Sequence, residues 1–348
     1  MRVTLPGLFD LQVNGFAGVD FNSVRLTSER LIEALERMRA TGVTRCLPTL
    51  ITSSSERFAH CARVIARTAH PAIAGIHVEG PYISPQDGAR GAHPREHVTA
   101  ADIDDFRKRQ DAAAGRIALV TLAPEVAGAS RLIEYLVSCG VRVAIGHTAA
   151  SPAQIAEAIA AGATLATHLG NGCAQLLPRH PNMIWELLAA DQIAASFIVD
   201  GHHLPPSTVK AMIRAKGAAR SILVTDAMAA AGVDDRQRTP DDGRRTTDDA
   251  RRTTDDGTRP RFTIGDVVGE LAPDGRVSLP GTPYLAGSSL TLDRAIGNTV
   301  RFAGVTLDEA AAMASTIPAT FMGMRASGTL TADWDDDALA LRICAVAP

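Results

Sequence analysis

The sequence predicts an α/β fold, a (β/α)8 TIM-like barrel. Three observations predict it. Eight short apolar runs alternate with amphipathic helical patterns over about 220 residues, the rhythm of right-handed βαβ units around a parallel sheet. Five of those runs end in, or run straight into, polar residues able to do chemistry: Gln12 and Asn14, Glu79, His147, His168 and Asp226. A barrel collects the C-terminal ends of its strands at one rim, so all six residues would face the same mouth. The rival open sheet would need a G-x-G-x-x-G turn after its first strand, and LQVNGFAG lacks that spacing.

The elements follow in order. The first run, LPGLFDLQVN, leads into a helix over 28–41, with Leu31, Ile32, Leu35 and Met38 on one face. VTRCLPTL is the second strand, followed by a helix over 55–68. AIAGIHVEG is the third and opens a long polar loop from 81 to about 98. A helix is expected over 99–109, with Thr99 as N-cap and Asp102 at N3. RIALVTLAPE, VRVAIGH, ATLATHL, QIAASFIVDG and SILVTDA supply five more strands, with helices over 128–139, 151–161, 182–190 and 206–215 between them. Ser151 followed by Pro152 is a good cap with proline at N1. FTIGDVVGELAPDGRVSLP reads as short β structure with an APDGR turn. PYLAGSSLTLDRAIGN enters a helix, TLDEAAAMASTIPATFMGM is another, and the tail carries an outlying strand.

Composition limits the function. The chain has 348 residues, 46% hydrophobic and 21% charged, with a formal net charge of −3. That suits a globular protein with a large core, and argues against nucleic acid or an anionic membrane as partner. The five cysteines (Cys46, Cys61, Cys139, Cys173, Cys344) are odd in number and form no C-x-x-C pair, so a reducing compartment is expected. MRVTLPGLFD has no apolar signal core, and no run approaches the roughly 18 apolar residues of a membrane span. The expectation is a cytoplasmic protein. QRTPDDG, RRTTDDA and RRTTDDG repeat over 237–257. With no apolar face, they read as a solvated loop more readily than as a lid or partner contact.

Glu79, His147 and His168 are the best metal triple. A catalytic zinc site takes three protein ligands and leaves a position for water. One histidine in an apolar run is ordinary packing; two histidines and a glutamate ending separate strands of one barrel are hard to obtain by accident. Asp226, ending the last strand, is placed to work a water molecule beside the ion. Gln12 and Asn14 carry neutral amides, poor ligands for a second cation. Simple hydrogen bonding at the strand end is the alternative, and either way a single ion results. His77, two before Glu79, points to the same face and either supports the site or packs.

PGLFDLQVNG, GIHVEGPYISP with RGAHP, TLAPE, AIGHTAAS, ATHLGNG, FIVDGHH, LVTDA and LAGSSLTLDRA occur in that order between about 6 and 320. Together they resemble the N-acetylglucosamine-6-phosphate deacetylase branch of the amidohydrolase superfamily. The resemblance implies Glu79, His147 and His168 as ligands of one metal ion, zinc, because the strand-one pair is Gln12-x-Asn14 rather than H-x-H. It implies Asp226 as the catalytic aspartate. Ala92 and His93 would contact substrate, His93 polarising the acetyl carbonyl. It implies Asn171 and Gly172 as a sugar-phosphate contact, Arg179 as the phosphate arginine, and 285–287 (Leu285, Ala286, Gly287) as lining the sugar pocket. His203 matches a histidine reaching the phosphate across a homodimer interface, although His202 beside it leaves the register open. Arg179 is open to a second reading as a surface charge.

The resemblance thus implies a small-molecule amino-sugar phosphate substrate, deacetylated to acetate and the free amino sugar. The alternatives are a deacylase for another N-acyl amino sugar or amino acid, and a truncated, inactive barrel. Relative to the family, an N-terminal segment that builds part of a small β domain is missing, and the C-terminal return is short and irregular. The expected organisation is a catalytic barrel over 6–232 and 283–325, a charged loop over 233–260, and a reduced small β domain from 1–5, 261–282 and 326–348. THLGNGC stands where the family commonly has THLFNAM, which is expected to loosen the sugar-binding loop.

Overall fold

The chain begins with β1 (Arg2–Pro6), then β2 (Leu8–Val13), all six of whose residues are buried, and a hairpin of β3 (Gly15–Phe16) and β4 (Val19–Asp20). Helix and strand then alternate through α1 (Ser28–Ala40), β5 (Val43–Ile51), α2 (Ser55–Arg67), β6 (Ile76–Glu79), α3 (Ile103–Ala112), β7 (Ile117–Leu122), α4 (Ala129–Ser138) and β8 (Arg142–Ile145). The alternation continues with α5 (Pro152–Ala160), β9 (Leu165–Ala166), α6 (Met183–Ala189), β10 (Ala194–Ile198), α7 (Pro206–Lys216) and β11 (Ser221–Val224). The last part holds β12 (Arg261–Ile264), β13 (Val267–Leu271), β14 (Val277–Ser278), α8 (Leu292–Ala303), α9 (Leu307–Ala314), α10 (Thr316–Phe321), β15 (Thr329–Asp335) and β16 (Ala340–Ala347). This computed structural model describes residues 1–233 and 259–347. The repeats at 237–257 lie outside the described residues.

Eight of these strands form one parallel sheet in the order β11-β10-β9-β8-β7-β6-β5-β2. The ends of that order meet. Val13 bridges Ala227 in parallel, Asn14 N–H donates to Ala227 O at 2.7 Å, and Asp226 N–H donates to Gln12 O at 2.9 Å. The sheet is therefore the expected (β/α)8 barrel. Its strands read as continuous apolar runs because both faces are buried, one by the barrel interior and one by helices. α1 turns Leu31, Ala34, Leu35 and Met38 inward, and α4 turns Leu132, Ile133 and Leu136. Each such leucine or isoleucine contributes roughly 1.5–3 kcal/mol. α5 begins with a complete capping box between Ser151 and Gln154.

Two sheets flank the barrel. β1 and β16 pair on either side of β15, so chain start and end share one antiparallel sheet. β12, β13 and β14 form a second sheet over the rim. There Phe262, Ile264, Val267, Leu271 and Val277 share a small core with Ile51, Met228, Ala230 and Ala286. Asp20 anchors this sheet to the β3–β4 hairpin by accepting from Thr263 Oγ1 at 3.0 Å and Gly265 N–H at 2.9 Å.

Three expectations are corrected. The helix read over 99–109 is α3, with Asp102 rather than Thr99 as N-cap: Asp102 accepts from Asp105 N–H at 2.7 Å, while Thr99 N–H is committed to Pro81 O at 3.0 Å. The single helix read through TLDEAAAMASTIPATFMGM breaks at Ser315 (φ −137°, ψ −79°) into α9 and α10. Pro318 lacks the N–H an unbroken helix would need. The C-terminal return is not irregular but a regular hairpin of β15 and β16 with one register shift, between Thr331 and Ala332. Among the described residues no helix is long and apolar enough to cross a membrane.

Candidate active site

Four strands of the barrel deliver the principal groups. Glu79 ends β6, and His147, His168 and Asp226 stand just past β8, β9 and β11. These last three adopt left-handed backbone angles, φ 50°, 30° and 48°. A non-glycine residue there costs on the order of 1–3 kcal/mol and persists only where its surroundings fix it. The sharp turn swings each side chain off its strand line and over the barrel mouth.

The donor atoms converge. Glu79 Oε1 lies 3.0 Å from His168 Nε2 and 3.3 Å from His147 Nε2, and the two Nε2 atoms are 3.1 Å apart. His147 Nδ1 is 3.0 Å from Ala89 O, which can only accept, so Nδ1 carries the proton and Nε2 presents its lone pair inward. Three buried lone-pair donors aimed at one point repel one another unless a cation sits among them. One ligand atom from each of the three lies within 4.8 Å of the others. Glu79, His147 and His168 thus fit a divalent ion in chemistry and in placement.

His147 is packed closely. A Cβ on Gly172 (φ 56°) would lie 2.9 Å from His147 Nδ1, and one on Gly91 (φ 60°) 3.2 Å from His147 Cε1. Gly172 was expected to loosen its loop. Its lack of a Cβ lets that backbone lie against the His147 ring.

The amides of strand one bind carboxylates. Gln12 Nε2 donates to Glu79 Oε1 at 2.8 Å and to Asp226 Oδ1 at 3.3 Å, and Asn14 Nδ2 donates to Asp226 Oδ1 at 2.7 Å. Asn14 Oδ1 is buried without a partner among the described residues. His93 Nδ1 is 2.9 Å from Thr52 Oγ1, and its Nε2 lies 3.7 Å from Glu79 Oε2. Below, His77 is bracketed by Thr121 Oγ1 at 2.8 Å and Thr49 Oγ1 at 3.3 Å, inside the barrel.

The electrostatics separate the carboxylates. Burial pushes Asp226 up to about 6, and the charge of Glu79 adds to it. Burial also acts against Glu79, but the adjacent His147 and His168 rings outweigh it and hold its carboxyl well below the usual range. Burial drives His93 down to about 3, which keeps that ring neutral.

A cavity of about 470 Å³ opens above these groups. Asn14, Glu79, Ala92, His93, His147, His168, Asn171, Gly172, His203, Asp226 and the 285–287 segment all line it. Gln12 sits beneath, reaching the cavity through its hydrogen bonds. Arg179 is exposed and is not among the lining residues. His203 lines the cavity of its own chain, with Nδ1 2.7 Å from Asp200 Oδ2, whereas His202 turns to Asp274 O at 3.2 Å. Sequence reasoning missed Thr52, which follows the second strand and could have been found by the same strand-end signal. It also missed the Ala89 carbonyl, which no side-chain pattern reveals, and Ile184, Ile264, Val267 and Tyr284 in the wall, brought in by the start of α6, by β12 and β13, and by the segment after β14.

A closed parallel barrel with a carboxylate and two imidazoles converging beside an elevated aspartate defines a class: metal-assisted hydrolases built at a barrel mouth. Comparison narrows it. Residues 3–343 match the profile of the amidohydrolase family. The chain is 33% identical over 351 residues to N-acetylgalactosamine-6-phosphate deacetylase of Shewanella sp. (strain ANA-3), covering 97% of this chain and 81% of that one. It is 30% identical over 358 residues to N-acetylglucosamine-6-phosphate deacetylase of Homo sapiens, covering 98% and 80%. The fold superposes with TM-score 0.84 at 27% identity on a mutant N-acetyl-D-glucosamine-6-phosphate deacetylase from Mycobacterium smegmatis in complex with N-acetyl-D-glucosamine-6-phosphate, over 99% of this chain and 85% of that one. The chain belongs to the amidohydrolase family.

Proposed function

We propose that this chain hydrolyses the N-acetyl group of N-acetylglucosamine 6-phosphate, releasing acetate and glucosamine 6-phosphate, with one zinc ion held by Glu79, His147 and His168. The observation that carries this reading is the convergence of those three donors beside Asp226 in a cavity large enough for a sugar. The names borne by its relatives support an N-acetylhexosamine 6-phosphate as the substrate.

Bound at these donors, zinc would polarise the acetyl oxygen and lower the pKa of water from 15.7 to roughly 7. Asp226 takes the proton of the attacking water and later returns it to the leaving nitrogen, so one carboxyl serves as base and then acid. Gln12 and Asn14 aim that carboxylate through the N–H donors that reach Oδ1. His93, neutral and fixed against Thr52, offers a polar contact to the acetyl oxygen. The Gln12 amide between Glu79 and Asp226 supports one ion rather than two, because its N–H donors point where a second cation would sit.

The place of His203 in the wall of its own cavity supports a phosphate contact within its own chain rather than across a homodimer interface. Arg179, exposed on the loop before α6, is the group a homodimer would present to the partner's phosphate. All five cysteines are free, which suits a cytoplasmic enzyme. The test is acetate release by zinc-loaded protein from N-acetylglucosamine and N-acetylgalactosamine, each with and without a 6-phosphate. N-acetylglucosamine 6-phosphate is expected to give the highest kcat/KM. Equal turnover of unphosphorylated sugars would overturn the phosphate assignment, and faster release from the galactose epimer would move the substrate to it.

A further inference from the structure

A second cavity of about 470 Å³ lies at the other end of the barrel, where the strands begin. Its wall includes Arg142, the first residue of β8, and Thr164, just before β9. Ile193 and Arg220 stand just before β10 and β11, and α10 closes the space with Ile317 and Phe321. None of these residues has a part in the chemistry at the rim.

Their polar groups are incompletely used. The Arg142 guanidinium lies 5.6 Å from the Phe321 ring centroid and makes no hydrogen bond or ion pair with any described residue. A half-buried guanidinium with five N–H donors and no acceptor is costly unless water or a ligand supplies one. Thr164 Oγ1 is shut off from solvent and has no partner among the described residues. Arg220 commits Nε to Lys216 O at 3.1 Å and Nη2 to Asp191 at 2.9 Å. Two guanidiniums against one carboxylate leave a net charge of +1 among these three residues. Ile193, Ile317 and Phe321 give the remainder an apolar wall.

We infer that this cavity binds a small organic anion, with a carboxylate on Arg142 and an apolar tail against Ile317 and Phe321. A single negative charge matches the uncompensated guanidinium, and the volume is that of a metabolite site. The site is separate from the rim and owes nothing to the proposed deacetylation. Its position is nevertheless consequential. β8 begins at Arg142 and β9 just after Thr164, and they end shortly before His147 and His168, so a ligand here touches the base of two strands that carry metal-site groups.

The test is calorimetric titration of the full chain, stripped of metal by chelation so that no carboxylate binds at the rim. Butanoate, butanamide and inorganic phosphate are the probes. Butanoate is expected to bind saturably with a Kd in the low millimolar range, about what six heavy atoms can supply. Butanamide should fail for want of charge, and inorganic phosphate should bind more weakly for want of a tail. Arg142→Gln should weaken butanoate at least about tenfold, the loss of a charge-assisted contact. Thr320→Trp, on the exposed side of α10, should block the cavity without removing any buried group, and it covers the case in which Arg142→Gln fails to fold. Unsaturable butanoate binding, equal binding of butanamide, phosphate binding as tight as butanoate, or an unchanged Kd in both variants would overturn the inference.

Discussion

Asp226 is held ready by its neighbours. Two amide N–H donors fix one of its oxygens, and burial beside the charge of Glu79 lifts its carboxyl to about 6. A base must be ionised to act, so kcat/KM should fall as pH drops below about 6 and level off above it. A pH–rate profile checks this, and a profile flat down to pH 5 would contradict the assignment. Asp226→Asn keeps the shape and the hydrogen-bonded neighbours but cannot take a proton. It should lower kcat by roughly 10²–10⁴-fold while metal content, measured by elemental analysis, stays at the wild-type value. At this scale the sequence was informative about identity and silent about posture. Glu79, His147, His168 and Asp226 were readable because each ends an apolar run. Their left-handed backbone angles were not, because His and Asp carry no pattern that marks φ above zero. Arg179 was readable as a phosphate group only through resemblance, and its exposed position depends on a loop path that local pattern does not determine.

Elements hold these residues through contacts that periodicity does not encode. The turn after His147 is pinned by Glu125, whose carboxylate accepts from Thr148 Oγ1 at 2.5 Å and Ala149 N–H at 2.6 Å. Glu125→Ala would strand a buried hydroxyl and a half-buried amide, a cost of about 1–3 kcal/mol for each unsatisfied group. It should lower Tm and, by releasing the turn, weaken zinc binding in a chelator competition. A variant with wild-type zinc affinity would show that the turn is held by other contacts. The barrel helices were legible wherever an apolar face and a cap coincided, as at Ser151. α3 was misplaced because Thr99 and Asp102 both resemble caps, and the choice between them was made by the distant Pro81 carbonyl. The break between α9 and α10 at Ser315 was missed because the alanine-rich stretch before it favours continued helix, a preference that outweighed the missing N–H of Pro318 in the reading.

For the whole molecule, closure of the barrel is the event that assembles the site, and Asp10 sits on the closing seam. Its carboxylate on β2 accepts from Thr225 Oγ1 at 2.5 Å and Thr225 N–H at 3.3 Å, just past β11. Burial raises it to about 7, against roughly 3.9 for an unfolded aspartate. The folded state therefore holds this proton more tightly than the unfolded chain. The resulting stability is complete below pH of about 4 and is lost as pH rises through about 7. Asp10→Asn should remove that dependence, so its Tm should vary less between pH 5 and 8 than that of the unaltered protein; an equal slope in both would place the titrating group elsewhere. The barrel as a whole was legible because eight repeats of one pattern reinforce each other. The flanking sheets were less so, since β1 pairs with β15 across more than 300 residues of chain, a partnership no short window contains.

The central claim is that one divalent ion is shared by Glu79, His147 and His168. Elemental analysis of zinc-reconstituted, desalted protein tests it most directly. One ion per chain is expected, falling to near zero in a Glu79→Ala, His147→Ala double variant that retains its circular dichroism. Two ions per chain, or one ion retained by that variant, would contradict it.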